Sequence, residues 1–125
     1  MRNILTIFLL IFSAQVLSEE LKCGQTNVSI EKTGQWENTR YQVIAQLKDR
    51  KTELWLNSID HLSSQCVLGS KNRDKILIKA HCGGSGCSEH TYTIIDAQTL
   101  MVELVPVQGR SNLIQAEEII GRAIK

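Results

Sequence analysis

His81, Cys82, Cys87 and His90 put two imidazoles and two thiols within ten residues of a 125-residue chain. Imidazole and thiolate are ordinary zinc ligands at short spacing, and a close cysteine pair is also a candidate for reversible thiol–disulfide exchange. The usual Cys-x2-Cys pair of a zinc site is absent. Redox motifs place their first cysteine at a helix N-terminus, whereas a strand-like alternation precedes Cys82. Between the cysteines stand Gly83, Gly84, Ser85 and Gly86. A nucleophile elbow needs Gly-x-Ser-x-Gly, and Cys87 occupies the last glycine position. Asp60, His61, Ser63 and Ser64 have the residue types of a hydrolytic triad, but triads are assembled in space and not along one loop. No catalytic residue is assigned.

The flanks of this set explain how it would be held. Ile76, Ile78 and Ala80 share one side of an alternating run, and Tyr92 and Ile94 share one side of a second. Period-two alternation is the mark of strands. Glycines in the loop between them open backbone angles closed to other residues. The spacing therefore predicts a hairpin whose tip is closed by a Cys82–Cys87 bond.

The chain begins with Arg2 in a short basic head, an apolar stretch from Ile4 to Phe12, and Val16 and Ser18 at small-residue positions. That is the pattern of a signal peptide over residues 1–18, too short to span a bilayer. Residues 19–125 are then one domain's worth of chain, exported to a periplasm or secreted. The leader carries away only Arg2, which leaves thirteen basic against thirteen acidic residues. Such a neutral, mixed surface lacks the basic footprint that nucleic acid or an anionic membrane would require. All four cysteines lie beyond the leader, and an even count in an exported chain implies disulfides.

Along the domain, Glu19 to Lys22 read as a loose polar segment and Asn27 to Ile30 as a short strand. Thr39 to Lys48 alternates cleanly, with Tyr41, Val43, Ala45 and Leu47 on one face. Asp49 to Lys51 form a charged turn, and Glu53 to Ile59 a strand with Leu54 and Leu56 inward and Trp55 opposite. Asp60 to Ser64 read as a polar loop, Cys66 to Leu68 as a short strand, and Gly69 to Asp74 as a turn. After the hairpin, Leu100 to Val107 is a further strand whose Pro106 belongs on a sheet edge. Leu113, Ala116, Ile119, Ile120 and Ala123 recur at helical spacing, with Asn112 and Gln115 in the form of a capping box. Glu118 and Arg122 are spaced for an i,i+4 pair, and Gly121 falls in the last turn. These elements predict an α+β fold: a small antiparallel sheet of five to six strands with a C-terminal amphipathic helix packed on it.

Four cysteines allow three pairings. Cys82–Cys87 closes about six residues and Cys23–Cys66 about 44, for roughly 2 and roughly 4 kcal/mol of chain-entropy stabilisation. The second bond would staple the N-terminal segment to the middle of the sheet, so Cys23–Cys66 with Cys82–Cys87 is the favoured set.

A Cys-x4-Cys loop between two strands resembles that of the Ivy-type periplasmic lysozyme inhibitors, whose short disulfide-closed loop enters the enzyme's active-site cleft. The likeness covers Cys82-Gly83-Gly84-Ser85-Gly86-Cys87 and its strand context. The family's loop carries a histidine between the cysteines; here His81 and His90 lie outside it. Ser85-Gly86 followed by Tyr92 is also similar, at longer spacing, to the Ser-Gly…Tyr motif of another lysozyme-inhibitor family. The resemblance implies an inhibitor. Together these readings point to a binding protein, not an enzyme, with no cofactor and no metal. Its partner would be another periplasmic or extracellular protein, met through Gly83, Gly84, Ser85, Gly86, His81 and His90. Trp36 and Trp55 are a second candidate surface, since aromatics are enriched at interfaces. The alternative is a metal-binding or thiol redox protein built on His81, Cys82, Cys87 and His90.

Overall fold

A computed structural model describes residues 18–35, 38–82 and 90–124. Eight strands and one α-helix follow in order: β1 (Ser18–Cys23), β2 (Thr26–Thr33), β3 (Arg40–Leu47), β4 (Arg50–Asn57), β5 (Ile59–Leu68), β6 (Asp74–Cys82), β7 (Thr91–Asp96), β8 (Val102–Leu104) and α1 (Arg110–Ile120). They form two four-stranded antiparallel sheets, β1-β2-β3-β4 and β5-β6-β7-β8, each a meander of sequence neighbours. The broad expectation of an antiparallel β fold with one C-terminal helix holds. The single sheet of five to six strands does not: among the described residues there are two sheets and eight strands.

Two polar segments expected outside the sheet are strand: one is a new strand and the other lengthens an expected one. Glu19 to Lys22, read as loose, belong to β1, which pairs with β2 from Ser18–Glu31 to Cys23–Thr26. Cys23 faces the core while Glu20 and Lys22 face water, and an edge strand anchored on one side can afford that composition. Asp60 to Ser64, read as a loop, lie inside β5; an irregularity between Ile59 and His61 breaks the alternation, and Leu62 is the apolar anchor. Ser58 alone separates β4 from β5, with φ 57°, and its N–H bonds the Thr39 carbonyl at 3.0 Å.

The first sheet alternates as its sequence requires. Val28, Ile30, Tyr41, Val43, Ala45 and Leu56 point inward, against Leu62, Ile76, Ile78, Ala80 and Ile95 of the second sheet. The Cys23–Cys66 disulfide joins β1 to β5 across this layer, with Cα atoms 5.1 Å apart. Gly24 turns β1 into β2 with φ 61°, and a Cβ there would meet Asp74 Oδ2 at 2.9 Å. The second sheet is covered on both faces. On its far side Leu77, Tyr92, Ile94 and Leu104 pack against Ala116 and Ile120 of α1. All six residues of β7 are buried.

The helix starts earlier than its spacing implies, and Asn112 is not its cap. Asn112 is 2% exposed inside α1. Its Oδ1 accepts from the Tyr92 N–H at 2.7 Å, and its Nδ2 donates to the Tyr92 and Val105 carbonyls, each at 3.1 Å. The side-chain amide thus continues the β8 ladder where that three-residue strand has ended. Gly121 caps the other end at φ 87°, its N–H on the Glu117 carbonyl at 2.7 Å. Arg122 donates to the Leu68 carbonyl at 2.6 Å, so its contact is with β5, not the expected Glu118 pairing. β8 spans only Val102–Leu104 because Leu100 turns at φ 62° and Pro106 lies just beyond.

Two stability outcomes follow. Asn112→Ala leaves two buried groups of Tyr92 without partners and should cost about 3 kcal/mol, read from the urea midpoint at unchanged slope. Replacing Cys23 and Cys66 together by Ser should cost roughly 4 kcal/mol in the same assay. A change below about 1 kcal/mol in either would remove that interaction from the account of the fold.

Candidate functional site

β6 and β7 are the two central strands of the second sheet and carry the loop singled out by the sequence. Its tip, Gly83, Gly84, Ser85 and Gly86, lies outside the described residues, as do Cys87, the side chain of Cys82 and the Cys82–Cys87 bond. Trp36 is outside them as well. The base is described. Register runs to Ala80–Thr91, and one step further His81 and His90 face each other with ring centroids 5.1 Å apart, tilted by 46°. His61 pairs with His81 from β5. The three histidines, all that the chain contains, therefore form one row across β5, β6 and the residue before β7.

Alternation places this row on the same face as Leu77 and Ile94, the face α1 covers farther along. His61 and His90 are exposed and His81 is half-buried. Although His90 is exposed, the partial desolvation of its ring holds it below the usual imidazole range, and the nearby charges of Lys79, His81 and His61 add to the effect. His81 Nδ1 is buried with no hydrogen-bond partner. Among the described residues, no three His, Cys, Asp or Glu side chains are grouped to hold a metal ion.

His61 was considered in the sequence only beside Asp60, Ser63 and Ser64. The strand separates that set: Ser63 faces as His61 does, while Ser64 pairs with Ile78 on the core side, its hydroxyl buried and unpartnered. Recognising β5 as a strand would have placed His61 beside His81. Trp55 is 47% exposed on the outer face of the first sheet, opposite Leu54 and Leu56 as expected. The Arg40 guanidinium lies over its ring at 5.0 Å while donating to Asn57 at 3.1 Å.

The strongest electrostatic cluster lies elsewhere and escaped the sequence reading. Asp96, 3% exposed, accepts from Arg73 Nε and a terminal Arg73 nitrogen at 3.0 Å each, and from Lys75 Nζ at 2.7 Å. The backbone N–H groups of Gln98 and Thr99 add two bonds at 2.9 Å each. Lys75 also bonds Glu103. Burial alone would raise the Asp96 carboxyl, but these donors outweigh it and hold it far below the usual carboxylate range. Lys75 is raised despite burial by its bonds to the two acids. The carboxylate borders a groove of 440 Å³ lined also by Ser70, Met101 and Glu118. With both oxygens engaged by five donors it anchors a turn and has no lone pair poised for chemistry.

Compared with protein-family models, curated proteins and solved structures, the chain matches none.

Asp96 sets an acid dependence. Its folded pKa lies below the unfolded value of about 3.9, so its contribution is complete above that pH and is lost progressively as pH falls beneath it. Urea unfolding across acid pH should show this slope, and Asp96→Asn should flatten it while costing about 3 kcal/mol or more at neutral pH. An unchanged slope in the variant would assign the acid dependence to other groups.

Proposed function

We propose that this is a non-catalytic binding protein, exported behind its leader and recognising another periplasmic or extracellular protein through the β6–β7 loop. Gly83, Gly84, Ser85 and Gly86 form the contact, Cys82 and Cys87 close it, and His81 and His90 flank its base. The observation that carries this reading is where the loop originates: β6 and β7 are the central strands, packed between the first sheet and α1. A loop carried on so fixed a base has its two ends placed before it binds. The buried acid with the most donors, Asp96, is committed to the β7–β8 turn, which leaves the charged core structural.

The loop's resemblance to Ivy-type inhibitors makes an enzyme cleft the kind of surface it suits, and a lysozyme the first partner to try. Small glycines let the backbone approach such a cleft closely, and Ser85 is the one hydroxyl between the two cysteines. Exposed Trp55 lies on the outer face of the first sheet and serves as an internal control.

The test starts with the protein as bait in periplasmic or secreted extract, followed by affinity measurements on the partner recovered. Ser85→Trp should change folding stability by under about 0.5 kcal/mol, the range of benign surface substitutions, and should weaken binding far more. Trp55→Ala should bind as the parent does. Equal binding by parent and Ser85→Trp sinks the loop reading, and loss of binding in Trp55→Ala moves the site to the first sheet.

A further inference from the structure

The histidine row supports a chemistry that needs no protein partner. His81 lies near the end of β6 and His90 immediately precedes β7, one step beyond the last paired residues, Ala80 and Thr91. For His81 and His90 the ring centroids are 5.1 Å apart. Two imidazoles sharing one tetrahedral cation, each with a metal–nitrogen bond of about 2.0–2.1 Å, would have their ring centres about 5 Å apart. The observed spacing is one that such an ion can bridge.

A second observation concerns the same pair. His81 Nδ1 is buried and unpartnered, a condition that costs about 1–3 kcal/mol and that a bound cation relieves. His90 is exposed and gives access from solvent. We propose that His81 and His90 form a cross-strand, two-imidazole site for a tetrahedral transition-metal cation, Zn²⁺ in the first place. No third His, Cys, Asp or Glu among the described residues is grouped with them. The protein thus supplies two ligands, one fewer than a zinc site with a single open position, and water or an incoming group supplies the others. His61 is next in the row and tunes the site from β5 without being one of its two ligands. Hard cations such as Mg²⁺ prefer oxygen ligands and are excluded by the donor type.

The proposal stands apart from the loop's role in recognition and is tested without any partner. Untagged protein at neutral pH is titrated with ZnCl₂ and, separately, MgCl₂, by calorimetry and by the histidine ring resonances in NMR. One Zn²⁺ per chain should bind, Mg²⁺ should not, and the His81 and His90 resonances should move most. His90→Gln alters an exposed side chain, so its fold is retained, and it should weaken Zn²⁺ binding at least about tenfold, as metal-site substitutions do. His81→Ala should do the same and His61→Gln less. The double substitution of Cys82 and Cys87 by Ser should leave the affinity in place. Absence of saturable Zn²⁺ binding overturns the proposal. So does binding that survives His90→Gln, and so does binding that disappears with the cysteines.

Discussion

The two sheets are locked to each other by what the Asp96 carboxylate does to the turn that follows it. Its bonds to the Gln98 and Thr99 N–H groups fix residues 96–101 in one shape. That shape points three carbonyls toward the first sheet. Thr26 Oγ1 donates to Ala97 O at 2.5 Å, Arg50 to Gln98 O at 3.2 Å, and Thr52 Oγ1 to Leu100 O at 2.6 Å. The side chain of Leu100 then fills the layer between the sheets. Removing one charge from this point would release a turn, an inter-sheet seam, the buried Lys75 and the partly exposed Arg73 together. Buried ionic groups are costly when isolated. Here the donors share one carboxylate, and the desolvation cost is met by geometry.

Asn112 performs the corresponding task on the other face. β8 is too short to satisfy the edge of β7 along its length, and a helix side chain completes the ladder. The helix is thereby attached by directed hydrogen bonds as well as by Ala116 and Ile120 in the apolar layer. Both devices converge on β7, whose ends are held by Asp96 and by the Asn112–Tyr92 contact. The hairpin base with the histidine row inherits that fixity.

Legibility in the sequence followed the number of faces each strand buries. β3 and β4 bury one face each, so their alternation of apolar and polar residues was plain. The helix was legible from its apolar spacing, although its start was misplaced because a buried Asn serving a neighbouring strand has the residue type of a cap. β1 and the first half of β5 were missed for one shared reason. Edge strands stapled by Cys23–Cys66 need few apolar anchors, and their polar composition imitates a loop. The loss of β5 hid His61 from His81. The ion cluster was beyond reach of local pattern, since Arg73, Lys75, Asp96 and Glu103 meet through register alone.

The order of the strands bears on how the molecule is made. Each sheet pairs only sequence neighbours, so either can assemble from local hairpins as the chain emerges from its N-terminus. β1 through β4 all precede Cys66 in the chain, so Cys23 on the edge of the first sheet takes its partner from the second. The bond spans the two sheets and can close only once they have docked, and so acts as a latch on that docking event. Before that event, an oxidant that joins Cys23 to a different cysteine would trap two well-formed sheets in the wrong relation.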